Sequence, residues 1–149
     1  MFEKSSVNLL NPTAFSSNKG KTNISSKDTK DKSGMILMYA DWCGHCHNIS
    51  PTWMFLANRL NRSLDVRISA FNCSKDDKSQ NVSSNTGVQG FPTIFYHNKK
   101  GDVVAEYNGP RDPKSLLQFA VEQQKKEDTK KDTKKDKKDK KDKKDTKND

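Results

Sequence analysis

The longest apolar run in the chain, Met35 to Ala40, lies between Gly34 and Asp41. A short continuous run with such boundaries is typical of a strand buried on both faces. A second pattern, over residues 64–70, alternates apolar and polar residues with a period of two, which predicts a half-buried strand. The centre of a sheet is therefore the first structure that the sequence predicts.

Weaker patterns predict the edges of the same sheet. Residues 7–10 alternate enough for an edge strand, which Asn11-Pro12 ends. Residues 93–97 and 103–107 flank the polar, glycine-containing segment 98–102, which indicates an antiparallel hairpin.

Apolar stripes at spacings of three and four predict two helices. The first follows residue 46, continues to about Asn61 and should be kinked at Pro51; its stripe consists of Ile49, Trp53, Leu56, Ala57 and Leu60. The second starts with Asp112 as N-cap and Pro113 in the first turn; its stripe consists of Leu116, Leu117, Ala120 and Val121. Between them, residues 76–86 contain a single apolar residue, so any helix there is short and shallow.

Two segments have no apolar face to bury. Residues 16–34 contain little besides polar side chains and Ile24, and we expect a mobile, low-complexity loop. Residues 125–149 contain no apolar residue at all and repeat Lys-Lys-Asp, which predicts a disordered, charged tail. The folded domain should therefore cover residues 1–124.

Composition narrows the class of protein. A chain of 149 residues corresponds to one domain, and its interleaved strands and helices predict an α/β fold with a small mixed sheet covered by helices on both faces. The longest apolar run is far short of the ~20 residues that span a bilayer. The N-terminus lacks the apolar stretch of a secretory signal and the C-terminus lacks a retention signal, so we expect a cytoplasmic protein by default, with association with a virus particle as the alternative. We also expect a monomer. Its Lys, Asn and Asp tracts would suit an AT-rich genome, including that of a large DNA virus.

The segment Cys43-Gly44-His45-Cys46 carries the candidate chemistry. It joins a buried strand to a helix, so the Cys43 sulfur should lie beside unpaired backbone N–H groups at the positive end of the helix dipole. That environment favours a nucleophilic thiolate. Cys46, one turn further along and more buried, is placed to attack a mixed disulfide formed at Cys43.

Other chemistries fit the same cysteines less well. Cys43, Cys46 and His47 match the string of a c-type haem attachment site, but the strand and kinked helix around them are not a haem-binding shell. A structural zinc site would need a second ligand pair, which Cys73, His97 and His45 do not form, so we expect no metal and no cofactor. Two merely packed cysteines are a further alternative. Cys73 is expected to be a buried, inert thiol, and His97 an ordinary strand residue.

Several motifs together resemble the thioredoxin superfamily. They are Tyr-Ala-Asp-Trp-Cys-Gly-His-Cys at 39–46, the proline-containing helix, Gly-Phe-Pro-Thr at 90–93 and Tyr-Asn-Gly-Pro-Arg at 107–111. The Cys-Gly-His-Cys form is similar to the catalytic domain of protein disulfide isomerases. The resemblance covers about residues 7–124 and implies a thioredoxin fold and a thiol–disulfide oxidoreductase.

The resemblance also implies roles for single residues. Cys43 would attack, Cys46 would resolve, and the two would form the redox-active disulfide, with Trp42 packing beside them. Pro92 would be the family's cis-proline, and the backbone of Phe91 could pair with substrate. Gly44 and His45 would shape the site, and His45 could lend positive charge to the thiolate, although an exposed neutral imidazole is an equal alternative. Arg111 would approach Cys46 and stabilise its thiolate, or else is an ordinary surface arginine.

Two positions depart from the family pattern. Leu37 stands where the family usually has a buried acid that moves protons for the resolving cysteine, and His47 stands where isomerases commonly have lysine. We expect slow deprotonation of Cys46 unless His47 or a water substitutes.

The expected partners follow from this chemistry. Substrates would be protein thiols and disulfides, with glutathione or a dithiol as electron donor, and the tail could contact nucleic acid or another acidic surface weakly through its lysines. No membrane contact is expected. The alternative function is a weakly active or inactive thioredoxin-fold binding module with a charged tether, a hypothesis that Leu37 supports best.

Overall fold

A computed structural model of the protein describes residues 1–61 and 66–143, and the side chains of residues 1–61 and 66–129. Its elements in chain order are β1 (Asn8–Leu9), a 3-10 turn (Pro12–Ala14), β2 (Phe15–Asn18), β3 (Lys21–Ile24), β4 (Ser33–Tyr39), α1 (Gly44–Leu60), β5 (Val66–Asn72), α2 (Asp77–Asn85), β6 (Thr93–His97), β7 (Val103–Tyr107) and α3 (Pro113–Lys143).

Five strands form one mixed sheet in the order β1-β5-β4-β6-β7. The central strand β4 is parallel to β5 and antiparallel to β6, and all seven of its residues are buried. Its side chains alternate between two apolar clusters. Leu37 lies in the cluster that includes Trp53 of α1 and Leu116 of α3, whereas Ile36 lies with Phe71 and Cys73 on the opposite face. The predicted mixed sheet with helices on both faces is therefore confirmed.

Most predicted elements lie where the patterns place them. The edge strand, the central strand, the hairpin of β6 and β7, and both long helices are present, and Pro51 lies inside α1. The Asp112 carboxylate accepts from the Ser115 backbone N–H at 2.8 Å, as expected of an N-cap. The predicted start of the strand at residue 64 lies outside the described residues, and β5 continues to Asn72.

The loop predicted over residues 16–34 is wrong, because this segment contains the antiparallel hairpin of β2 and β3 and the start of β4. Lys19 and Gly20 form its turn with positive φ angles of 55° and 78°, a conformation that glycine adopts without steric cost. Ile24 is buried, and its backbone N–H donates to the Gly101 carbonyl at 2.8 Å. The Asn23 amide also donates to Lys100 O and Asp102 Oδ1, so contacts with the distant β6–β7 turn hold the hairpin.

The last helix continues past the predicted domain boundary at residue 124. Glu127 accepts from the Lys99 backbone N–H at 2.8 Å and from the Tyr96 hydroxyl at 3.3 Å, so it contacts the end of β6. The side chains after residue 129, and residues 144–149 entirely, lie outside the described part, and disorder of the tail stays a prediction. No helix in the described part is long and apolar enough to cross a membrane.

Candidate active site

Cys43 lies at the junction between β4 and α1. It is the N-cap residue of α1, with extended backbone angles, and its Sγ accepts a hydrogen bond from the Cys46 backbone N–H at 3.1 Å. A helix N-terminus carries partial positive charge from its unpaired N–H groups, which stabilises an anion placed there. The Cys43 sulfur therefore lies at the helix end, as predicted from the sequence. The N–H groups there provide the environment that a thiolate needs.

The two sulfurs of the motif differ in their surroundings. Cys43 is 6% exposed, whereas Cys46 is completely buried within the apolar cluster that α1 shares with β4. Burial raises the pKa of Cys46 to about 12, with a further increase from its hydrogen bond with Cys43, while the Arg111 guanidinium acts in the opposite direction. The site thus pairs a slightly exposed cysteine at the helix end with a completely buried one whose thiol holds its proton strongly.

Position 37 lies in the same apolar cluster as Cys46. Leu37 is fully buried and pairs across the sheet with Ala70 and Ile94, so its side chain is surrounded by other apolar groups. None of these three side chains can accept or release a proton. Position 37, where the family usually has a buried acid, therefore offers no group that could accept the Cys46 proton.

The loop before β6 meets the cysteine motif through two aromatic rings. Trp42 is 73% exposed, and its ring lies edge-on to that of Phe91 with 5.6 Å between centroids. The Phe91–Pro92 peptide bond is cis, as the resemblance implies for Pro92. The structure thus brings Trp42, Phe91 and Pro92 to the end of the sheet where α1 begins.

Both histidines near the motif are exposed, and they differ in their contacts. Nε2 of His47 donates to the Asp41 carbonyl at 2.8 Å. His45 makes no hydrogen bond within the described part of the chain, and a Cβ at Gly44 would meet nothing within 4 Å. Gly44 and His45 therefore form an open surface beside the buried cysteines.

Two polar residues at the site were missed by the sequence reasoning. The Asn72 amide donates to the Asp41 carboxylate at 2.9 Å, and the Ser74 hydroxyl accepts from the Asp41 backbone N–H at 3.0 Å. These contacts fix the first residue of the loop that leads to Cys43. The available signal was the position of Asn72 at the end of β5 and of Ser74 two residues later, because residues there share an edge with the end of the neighbouring parallel strand.

Arg111 lies on a short loop that is fixed at both ends. The Tyr107 hydroxyl donates to the Pro110 carbonyl before it, and Asp112 caps α3 after it. Arg111 itself is exposed, yet its charge opposes the increase in the pKa of Cys46. The role of Arg111 at the second cysteine stays a prediction.

Cys73 and His97 lie away from this site. Cys73 is buried in the cluster on the opposite face of the sheet, and burial raises its pKa to about 11. His97 is fully buried at the far end of β6, where burial lowers its pKa to about 4. Among the side chains of residues 1–61 and 66–129, no group of three or more His, Cys, Asp or Glu could hold a metal ion.

A groove of about 380 Å³ adjoins the site on its β7 side. It is lined by residues of the α2–β6 connection and by one residue of β7, namely Gly87, Gln89, Gly90, Phe91, Pro92, Thr93 and Glu106. Phe91 and Pro92 line the groove, and Phe91 also contacts Trp42 beside the cysteine motif. The groove is therefore continuous with the surface on which a substrate polypeptide would lie.

Comparison with known proteins establishes the family. The thioredoxin family model matches residues 14–122. The chain belongs to the thioredoxin family. This match covers more than half of the chain and includes the cysteine motif, the cis-proline and most of α3 before residue 124.

Curated relatives include several protein disulfide isomerases. The chain is 37% identical over 95 residues to protein disulfide-isomerase like 2-2 of Arabidopsis thaliana, covering 62% of this chain and 20% of the relative. It is 35% identical over 89 residues to a probable protein disulfide-isomerase A6 of Medicago sativa, covering 60% of this chain and 24% of the relative. The chain thus spans about a quarter or less of the length of these relatives.

Solved structures share the fold. The Trx4 domain of ERdj5 has a TM-score of 0.60 at 20% identity, covering 80% of this chain and 96% of that one. Spinach chloroplast thioredoxin f has a TM-score of 0.55 at 22% identity, covering 77% and 84% respectively. The predicted thioredoxin fold is confirmed. The relatives and the Cys43–Cys46 pair together support thiol–disulfide oxidoreductase chemistry.

Proposed function

We propose that the protein is a protein disulfide isomerase-like thiol–disulfide oxidoreductase that reduces or rearranges disulfides of other proteins through Cys43 and Cys46. The observation that carries the proposal is the position of the Cys43 sulfur as N-cap of α1, with the buried Cys46 one turn behind it. A thiolate at a helix N-terminus is both stabilised and partly accessible, which is what attack on a disulfide requires.

The reaction proceeds in two exchanges. The Cys43 thiolate attacks one sulfur of a substrate disulfide, forms a mixed disulfide and releases the other substrate sulfur as a thiolate. Cys46 then loses its proton and attacks the Cys43 sulfur, which releases the second substrate thiolate and leaves a Cys43–Cys46 disulfide. The substrate gains two electrons, and glutathione or a dithiol donor returns the protein to its dithiol form.

The surrounding residues have supporting roles in this proposal. Trp42, Gly44 and His45 shape the surface on which a substrate lies, and the backbone of Phe91 beside Pro92 pairs with the substrate chain. Arg111 favours the thiolate of the resolving cysteine. The protein acts as a monomer, without a metal or cofactor.

The direction of net electron flow follows from the reduction potential. Isomerase-type pairs lie near roughly −180 mV and thioredoxin near roughly −270 mV. The test is to equilibrate the full chain in graded glutathione buffers and to measure the Cys43–Cys46 disulfide by thiol trapping and mass spectrometry. A two-electron couple near the isomerase range supports oxidation or isomerisation, and a value near thioredoxin supports reduction. If no such couple is found, the proposed oxidoreductase activity is wrong.

A second candidate function is a binding module that holds partners at the same surface without turnover. Leu37 favours it, because the buried residue beside Cys46 cannot accept a proton. The two functions differ in the response to Cys43→Ser. That substitution removes all turnover of an enzyme, whereas a non-covalent partner complex would survive it.

A further inference from the structure

The groove on the β7 side of the site contains one charged residue. Of the seven residues that line it, only Glu106 carries a charge, and the others contribute glycine backbone, an amide, a hydroxyl, an aromatic ring and proline. The Thr93 hydroxyl already donates to the Gly90 carbonyl at 2.7 Å. The charge in the groove is therefore that of a single carboxylate.

The Glu106 carboxylate has no partner within the described residues. It takes part in no hydrogen bond, and neither Lys nor Arg approaches it to salt-bridge distance. Several other carboxylates accept hydrogen bonds: Asp41 from Asn72, Asp102 from Asn23, and Glu127 from Lys99. Glu122 is unpaired among the described residues as Glu106 is, but it lies on α3 outside the groove. Glu106 is exposed, so what distinguishes its carboxylate is its place in the groove beside Phe91 and Pro92, where a cation on a bound chain would come within contact distance.

The register of the sheet places this carboxylate beside the path of a bound chain. Glu106 lies directly opposite Phe95 in the β6–β7 pair, so both side chains project from the same face of the sheet. The cysteines belong to the apolar cluster on the other face, so Glu106 is linked to them only at the end of β6, where Phe91 and Pro92 line the same groove. A Cβ added at Gly87 or Gly90 would meet nothing within 4 Å, so the groove floor is open where a substrate side chain would enter.

We propose that Glu106 is a specificity-determining residue that selects substrate proteins with a lysine or arginine close to the reacting cysteine. This inference rests on the proposed function, because the groove matters only if substrate binds at Cys43. The expected preference for basic substrates is opposite to the one that the net charge of the chain, +9, would produce, since a positive protein attracts acidic segments. At physiological salt the long-range field is screened beyond about 8 Å, so a contact within the groove decides the preference.

The test measures attack by Cys43 on defined peptides at physiological salt. The full chain carries Cys46→Ser, so that the reaction stops at the mixed disulfide. Three peptides each contain one cysteine, which is linked by a disulfide to thionitrobenzoate. They differ only in the two residues that flank the cysteine, which are both Lys, both Gln or both Glu. Attack joins Cys43 to the peptide cysteine and releases the coloured thionitrobenzoate anion, the better leaving group, whose appearance gives the rate.

The expected result is a rate for the Lys peptide about fivefold higher than for the Glu peptide. Adding Glu106→Gln should make the two rates equal, and Glu106→Lys should reverse their order. Glu122→Lys, an equal change of charge at an exposed position on α3, is the matched control and should retain the preference. Circular dichroism checks the fold of each variant.

The outcomes separate this inference from the function on which it rests. If no peptide releases thionitrobenzoate, the proposed oxidoreductase fails and the specificity fails with it. If all peptides react but at equal rates, or if Glu122→Lys abolishes the preference as fully as Glu106→Gln, the assignment to Glu106 is overturned and the oxidoreductase stands.

Discussion

The backbone N–H of Cys46 donates to the sulfur of Cys43 at 3.1 Å, so the helix that buries one cysteine also supports the charge of the other. The two cysteines are one turn of α1 apart and therefore have different environments. The attacking sulfur uses the helix terminus, and the resolving sulfur remains in an apolar interior.

The resolving step should depend strongly on pH. Because burial raises the pKa of Cys46 to about 12, its thiolate is a minor species at neutral pH, and the rate of resolution should rise about tenfold per pH unit between about pH 7 and 10. Stopped-flow measurement of mixed-disulfide decay checks this. A rate that levels off below about pH 9 would contradict it.

Leu37→Glu should accelerate the same step. A carboxylate in the cluster around Cys46 can accept its proton, and we expect resolution at pH 7 to become faster by about tenfold or more. The buried acid should also cost about 3 kcal/mol of unfolding free energy, measured in urea. Leu37→Gln is the control, since it should destabilise the fold without accelerating resolution. Equal rates of resolution in the Leu37→Glu and Leu37→Gln variants would rule out proton transfer from Cys46 to the new carboxylate.

Arg111→Gln should slow resolution at low salt. Loss of the guanidinium removes the charge that opposes the increased pKa of Cys46, and the rate at pH 8 should fall about threefold. The difference should shrink as salt is added, because Arg111 is exposed. Arg59→Gln, which removes a cation over Phe55, should have no effect on this rate. An effect of Arg111→Gln that is insensitive to salt would point to a structural role instead.

Trp42→Ala should weaken substrate capture and leave the fold intact. The ring is 73% exposed, so the free energy of unfolding should change by less than about 1 kcal/mol, while Phe91 loses its aromatic neighbour. The rate of mixed-disulfide formation with a protein substrate should fall several-fold. Phe55→Ala, also on an exposed aromatic ring, should leave that rate unchanged, and a comparable loss there would argue against a specific role for Trp42.

Gly34→Ala should destabilise the sheet severely. A Cβ at this position would lie 1.9 Å from the carbonyl oxygen of Arg67 on the neighbouring strand, and backbone cannot move aside as a side chain can. We expect a loss of about 3 kcal/mol or more in urea unfolding. Gly44→Ala, where nothing lies within 4 Å, should cost no stability.

The parts of the fold that the sequence predicts are those with a local pattern. The run before Asp41 and the stripe of α1 each show their burial within a few residues, and the cysteine motif lies where they meet. The hairpin of β2 and β3 has no such pattern. Phe15 packs against Phe71 at 4.7 Å, and Ile24 bonds to Gly101, so its stability comes from residues far along the chain.

The candidate site divides in the same way. Residues within the motif, such as Cys43 and Cys46, were predictable from their spacing and from the elements around them. The anchoring of Asp41 by Asn72 and the groove residue Glu106 were not, because each depends on the register between neighbouring strands. Periodicity shows which face of a strand is buried, but a slip of two residues keeps that face, so the pattern does not show which residue of the neighbouring strand lies opposite.

Glu127 sets the shortest chain that keeps the structure intact. It lies six residues beyond Val121, the last apolar residue of α3, yet its carboxylate accepts from the Lys99 N–H and the Tyr96 hydroxyl. A truncated protein ending at residue 124 would leave that N–H in the β6–β7 turn without its acceptor, and the turn also holds the β2–β3 hairpin through Asn23. A protein ending at residue 129 would retain both contacts, so experiments on a tail-free form should begin there.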